Sequence, residues 1–237
     1  MSEALRARLA AVRERIARAA ARAGRRAEEV TLVGVAKRQP ADAVAEAVRA
    51  GLGAVGESYL QEAQAKLPEV VARLAAEGLP APRWHFVGQL QRNKARHVAA
   101  LFDVVETIDA PALGAELDRR AAAAGRRLAV LFQVNLSGEP QKGGIGPEEL
   151  PALIEASGAW PALEPVGLMT LPAAASDPEA SRPTFARLRE LLAHAPAPPR
   201  GPRLRELSMG MSGDFEVAVE EGATIVRVGT ALFGARD

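Results

Sequence analysis

No cysteine occurs in the 237 residues. That excludes disulfides, thiolate metal sites and cysteine nucleophiles together, and fits a reducing compartment. Net charge is nearly absent too, at +1, so no electrostatic grip on nucleic acid or acidic membranes is expected. No apolar run approaches the roughly 20 residues a membrane span needs. The first thirty residues, "MSEALRARLAAVRERIARAAARAGRRAEEV", lack the apolar core of a secretory signal, and their acids (Glu3, Glu14, Glu28, Glu29) argue against an organellar transit peptide. A cytoplasmic protein is expected. The three histidines, His85, His97 and His194, are scattered without metal-ligand spacing, so no metal is expected. Lysine is scarce as well: Lys37, Lys66, Lys94 and Lys142 stand against 26 arginines among 30 basic residues. A chain that uses arginine for solubility keeps lysine where arginine cannot serve, and an always-protonated guanidinium cannot be a nucleophilic amine.

What is present is an alternation. Leu5, Leu9, Val12 and Ile16 fall at helical spacing and predict a helix over 3–23. Eight short apolar runs follow: "VTLVGVA", "GAVGES", "RWHFVG", "FDVVETI", "RLAVLFQVN", "EPVGLMT", "LRELSMG" and "ATIVRVGT". Seven helical patterns separate them, the last a short one over about 214–220. Strands alternating with helices indicate a parallel sheet. Eight such units in this length predict an α/β fold: a single (β/α)8 barrel with an extra N-terminal helix, one domain over 1–237. A doubly wound open sheet is the alternative, but no Gly-rich dinucleotide loop follows the first strand.

In a parallel barrel the chemistry sits at the C-terminal strand ends. Lys37 ends the first strand. It is either a lysine snorkelling into solvent or an amine that attacks an aldehyde from a low-dielectric barrel mouth. "SMGMSGDF" and "RVGTALFG" end the seventh and eighth strands. They carry tight turns and an N-cap, or else the backbone N–H groups of a phosphate site. Arg227 lies inside the last strand, where a buried guanidinium needs an acidic partner or a ligand atom. His85 has the placing of a satisfied core or interface residue more than of a catalyst. "QKGGIGP" lacks the order of a nucleotide loop. A lysine and a phosphate site in one barrel suggest a phosphorylated aldehyde, pyridoxal 5′-phosphate.

At this point the chain resembles the pyridoxal 5′-phosphate homeostasis proteins, barrels like the N-terminal half of alanine racemase. The likeness rests on "LVGVAKRQP", "VGESYLQEAQAK", "WHFVGQLQRNK", "FQVNLSGEPQKGG", "VGLMTL" and "LSMGMSGDFEVAVEEGATIVRVGTALFG", and spans nearly the whole chain. It implies a Schiff base on Lys37. It implies phosphate contacts from Ser208, Met209, Gly210, Ser212, Gly229 and Thr230, and Arg227 facing the pyridine nitrogen, which would leave that nitrogen unprotonated. Ser58, His85 and Met169 are further candidates for the cofactor's surroundings. Two positions depart from the family: Gly56, Glu57 and Ser58 stand where Gly-Glu-Asn is usual, so Ser58 replaces the Asn, and Gln89 stands where His is usual. The implied function is storage, buffering or delivery of the cofactor, with PLP-dependent apoenzymes as transient acceptors and the protein a monomer rather than a committed enzyme. An amino-acid racemase is the alternative. It would need a second acid–base group opposite the lysine, usually a tyrosine from an added domain. Tyr59 is the one tyrosine, and no room for such a domain is expected after the last strand. A phosphosugar lyase on the same fold would need a general acid, for which Glu57 is the obvious candidate.

Overall fold

The computed structural model describes residues 3–234. The single domain expected over 1–237 includes residues 1–2 and 235–237, which lie outside the described residues. Helix α1 (Glu3–Arg22) leads. The strands are β1 (Thr31–Val35), β2 (Ala54–Glu57), β3 (Arg83–Phe86), β4 (Val104–Ile108), β5 (Leu128–Gln133), β6 (Leu163–Met169), β7 (Glu206–Ser208) and β8 (Ile225–Val228). Between them run α2 (Ala41–Arg49), α3 (Leu60–Ala76), α4 (Ala95–Leu101), α5 (Pro111–Ala123), α6 (Leu150–Ala156), α7 (Arg182–His194) and α8 (Phe215–Glu220), and α9 (Thr230–Phe233) follows β8. Every strand pairs with its neighbours in parallel, and β1 pairs with β8 from Thr31↔Ile225 to Gly34↔Val228, so the sheet closes into a barrel. The expected (β/α)8 fold is the observed one.

Seven crossovers supply seven helices, and a closed eight-stranded sheet has eight faces to cover. Helix α1 fills the remaining place, packing against α8, α9 and α2. Its periodic apolar stripe, Leu5, Leu9, Val12 and Ile16, is buried there. Its arginines fasten it. Arg8 donates to the carbonyls of Leu232 and Phe233 at 2.8 and 3.3 Å, and Arg25, just past the helix, to those of Val219 and Ala223 at 2.8 and 2.9 Å. Arg15 pairs with Glu216 and lies over the Phe215 ring. The leading helix therefore completes the ring.

Two cores result. The larger lies between sheet and helices. The smaller fills the barrel with small and branched side chains, among them Val33, Ala54, Val104, Leu131 and Ile225. Strand alternation sends Val33 and Val35 inward, and the same phase carries on to Lys37 just past the end of β1. No helix among the described residues is long and apolar enough to cross a membrane.

Candidate functional site

At the C-terminal strand ends a cavity of about 360 Å³ opens, within the roughly 300–1,000 Å³ of small-molecule sites. Lys37 and Ser58 reach it from β1 and β2, Arg227 from β8, and Ser212, Gly229 and Thr230 from the last two loops. Val35, Val87, Leu171 and Met211 add apolar wall. The cavity thus gathers an amine, a guanidinium and three hydroxyls.

Loop geometry explains this convergence. Gly210 has φ +92°, and a Cβ there would lie 2.5 Å from the Ala218 Cβ and 2.9 Å from the Phe215 Cα. Only glycine lets the β7 loop run this close to α8. The Gly210 carbonyl then accepts from Arg227 N–H at 2.9 Å. The Ser212 Oγ accepts from the N–H groups of Gly229 and Ala231, each at 3.2 Å, joining the two loops. Asp214 accepts from Met211 N–H and from the Ser181 hydroxyl. Among the described residues, no protein acceptor takes the N–H groups of Ser212, Gly213 and Thr230. Open N–H groups of this kind suit an anion. Across the mouth, Gly88 lets its strand pass against Ser58, since a Cβ would lie 2.1 Å from the Ser58 carbonyl oxygen.

Arg227 has the acidic partner its burial requires. Its Nη1 donates to the Ser208 Oγ at 2.5 Å and its Nη2 to the Thr170 carbonyl at 2.9 Å. The Ser208 hydroxyl donates to Glu106 Oε2 at 2.6 Å, and that oxygen lies 3.7 Å from Arg227 Nη1. His85 Nδ1 lies 2.7 Å from Glu106 Oε1, so the proton on that nitrogen is the one donated. Burial acts to raise the Glu106 carboxyl. The bond and charge of His85, the charge of Arg227 and the Ser208 hydroxyl outweigh it and hold Glu106 below the usual carboxylate range. Burial pulls the Arg227 guanidinium below its ordinary value, with Glu106 and Asp214 opposing. Among the described residues His85 Nε2 has no protein partner, and its residue borders a cavity of about 90 Å³ toward the N-terminal mouth, beside Arg83 and Glu206.

Of the residues singled out from sequence, Lys37, Ser58, Ser212, Arg227, Gly229 and Thr230 line the cavity. The others stand behind it. Ser208 turns its hydroxyl into the barrel to bridge Glu106 and Arg227. Met209 is buried in the helix-side core, and Met169 in the barrel core. Gly210 contributes backbone, and His85 holds Glu106. Sequence reasoning missed Glu106, although an acid amid "VVETI" on an inward phase was a signal. It also missed Lys66, whose ammonium group is buried beside β1 and β2. Among the described residues, no cluster of His, Cys, Asp and Glu is placed to hold a metal ion.

A cavity with an amine at one side, unpaired N–H groups at another and a buried guanidinium in its lining suits a flat ligand carrying an electrophilic carbonyl and an anionic group. Comparison with known proteins agrees with that chemistry. Residues 7–237 match the family model of the alanine racemase N-terminal domain. A Pseudomonas aeruginosa protein named pyridoxal phosphate homeostasis protein is 46% identical over 229 residues, 97% of this chain and 94% of its own. The structure of PipY from Synechococcus elongatus with PLP bound matches at a TM-score of 0.79 and 36% identity, over 97% of this chain and 100% of that one. Alanine racemase from Bartonella henselae, with covalently bound pyridoxal phosphate, matches at 0.70 and 17% identity, over 98% of this chain and 59% of that one. At that identity the likeness is one of fold.

Proposed function

The chain belongs to the pyridoxal phosphate homeostasis proteins, built on the alanine racemase N-terminal barrel, and from that premise we propose that it holds pyridoxal 5′-phosphate as a Schiff base on Lys37 and stores, buffers or delivers it. One observation carries the reading: Lys37, Arg227 and the β7 and β8 loops border a single cavity of cofactor size. Lys37 would hold the cofactor through its amine, and the bound cofactor would supply the aldehyde that condenses with it, releasing water. The N–H groups of Ser212, Gly213 and Thr230 would hold the phosphate, with Val35, Val87 and Leu171 as apolar wall for the ring. Arg227, its charge paired with Glu106, would serve the ring nitrogen. An arginine in that role would leave the ring a weak electron sink, which suits holding and release over fast carbanion chemistry.

Tyr59 supports the same preference. It is 49% exposed and does not line the cavity, so no tyrosine faces Lys37 as the second acid–base group of a racemase. In this reading the whole of residues 1–237 forms one binding domain, acting as a cytoplasmic monomer that passes the cofactor to apoenzymes. Borohydride reduction of loaded protein, followed by peptide mass spectrometry, is expected to place one phosphopyridoxyl group on Lys37. An adduct elsewhere, or none, defeats the proposal. Rapid racemisation of alanine would replace the carrier with the racemase.

A further inference from the structure

The backbone on both sides of Lys37 is held by one cluster of charged side chains. Before it, the Ala36 carbonyl accepts from Lys66 Nζ at 2.7 Å. After it, Arg38 N–H donates to Glu62 Oε1 at 2.5 Å. Lys66 joins the two ends, donating also to Glu57 Oε1 at 2.8 Å and Glu62 Oε1 at 2.5 Å. All three protons of its ammonium group are therefore used, one on β1's extension, one on the end of β2 and one on its own helix. The group is buried: the Lys66 side chain is 6% exposed and Glu57 fully enclosed. Arg38, between these anchors, has φ +63°, the one positive φ at a described residue other than glycine. That conformation is disfavoured for a side chain with a Cβ and persists where surroundings over-determine it. A planar guanidinium fork cannot spread three donors tetrahedrally from one atom, which accounts for a lysine in a chain this rich in arginine.

We infer that Lys66, with Glu57 and Glu62, is the positioning device of Lys37: it fixes the strained turn that aims the amine into the cavity. This rests on Lys37 being the cofactor-bearing residue. Lys66 itself does not line the cavity, so it acts through the backbone it holds. The charged groups acting on Glu57 are Lys66 and Glu62, both from α3. The flanking strands set Ala36 and Phe86 beside β2's end, neither of them charged.

The test compares two ligands. Pyridoxal 5′-phosphate reports the covalent reaction of Lys37 by absorbance and by borohydride trapping. Pyridoxine 5′-phosphate, with an alcohol in place of the aldehyde, reports the cavity alone. If wild-type protein forms no adduct at Lys37, the functional reading itself fails. With that adduct in hand, Lys66→Met is expected to form it on the order of ten- to a hundredfold more slowly, the scale of effect that misplacing a reacting group produces. Its affinity for pyridoxine 5′-phosphate is expected to stay at the wild-type value. Lys66→Arg is expected not to restore the rate. Glu62→Ala, at a partly exposed position, removes the acceptor of Arg38 N–H and is expected to slow the adduct in the same way; it decides the matter if Lys66→Met does not fold. Wild-type rates in Glu62→Ala and Lys66→Met, full rescue by Lys66→Arg, or equal loss of both ligands would overturn the inference.

Discussion

Glu57 and Glu106 are both shut inside the protein, yet their surroundings push them in opposite directions. For Glu57 burial dominates over the bond and charge of Lys66, and its carboxyl rises from 4.5 to about 7. For Glu106 the partners win and the carboxyl falls. The signs of the stability effects follow from linkage. Between about pH 4.5 and 7 the folded state keeps a proton on Glu57 that the unfolded state has lost, so this group lowers stability as pH rises through that window. Glu57→Gln imitates the protonated form. Urea unfolding is expected to show its stability gaining on wild type as pH climbs from about 4.5 to 7, with a constant difference above. A gap that does not change with pH would contradict the Glu57 assignment. Glu106 contributes in the reverse sense: its stabilisation is present above the ordinary carboxylate range and is lost as acid protonates it. Glu106→Gln leaves Arg227 a buried charge without its counter-ion. A loss of about 3–5 kcal/mol is expected, measured as a lower urea midpoint at neutral pH.

At the scale of the element, alternation was strong enough to locate all eight strands, because apolar runs and amphipathic helices have different periods. Its failures have physical causes. The seventh strand reads as "LRELSMG" because apolar character continues past the ladder, which holds only Glu206–Ser208. Leu204 and Met209 are buried on either side of it, with Met209 N–H still bonded to the Ile225 carbonyl at 3.1 Å. Helix α9 has four residues, about one turn, too few to show a period. Lys37 and the two last loops could be found because strand ends are where barrel chemistry sits. Glu106 and Lys66 were not, since the partners that set their roles include ones distant in sequence: Arg227 for one, the Ala36 carbonyl for the other. The loops also make their own prediction. Gly210→Ala must place a Cβ within 2.5 Å of Ala218 at φ +92°. It is expected to lower stability by about 1–3 kcal/mol and to weaken retention of pyridoxal 5′-phosphate, read by equilibrium dialysis. Unchanged retention would show that the β7 loop does not carry the phosphate.

At the scale of the whole molecule, the cavity at the C-terminal strand ends and helix α1 are mechanically joined. Arg8 holds the carbonyl end of α9, whose other end, at Thr230, borders the cavity. Arg8→Met keeps an apolar stem and removes those two bonds. A loss of about 1.5–3 kcal/mol is expected, in line with hydrogen bonds from a charged donor, together with faster dissociation of the cofactor in a stopped-flow trapping assay. Equal dissociation rates would mean that α1 merely covers the sheet.

The seam between β1 and β8 also fixes an order of events during synthesis. Residues 3–22 leave the ribosome long before residues 215–233, so their apolar stripe faces partners that do not yet exist. Strand β1 waits equally long for β8. Contacts so distant in sequence form late and slowly, and a nascent chain offers its unpaired edge and stripe to other chains meanwhile. The turn that aims Lys37 draws on β1, β2 and α3 alone. It can therefore be assembled while translation continues, long before the ring that surrounds it can shut.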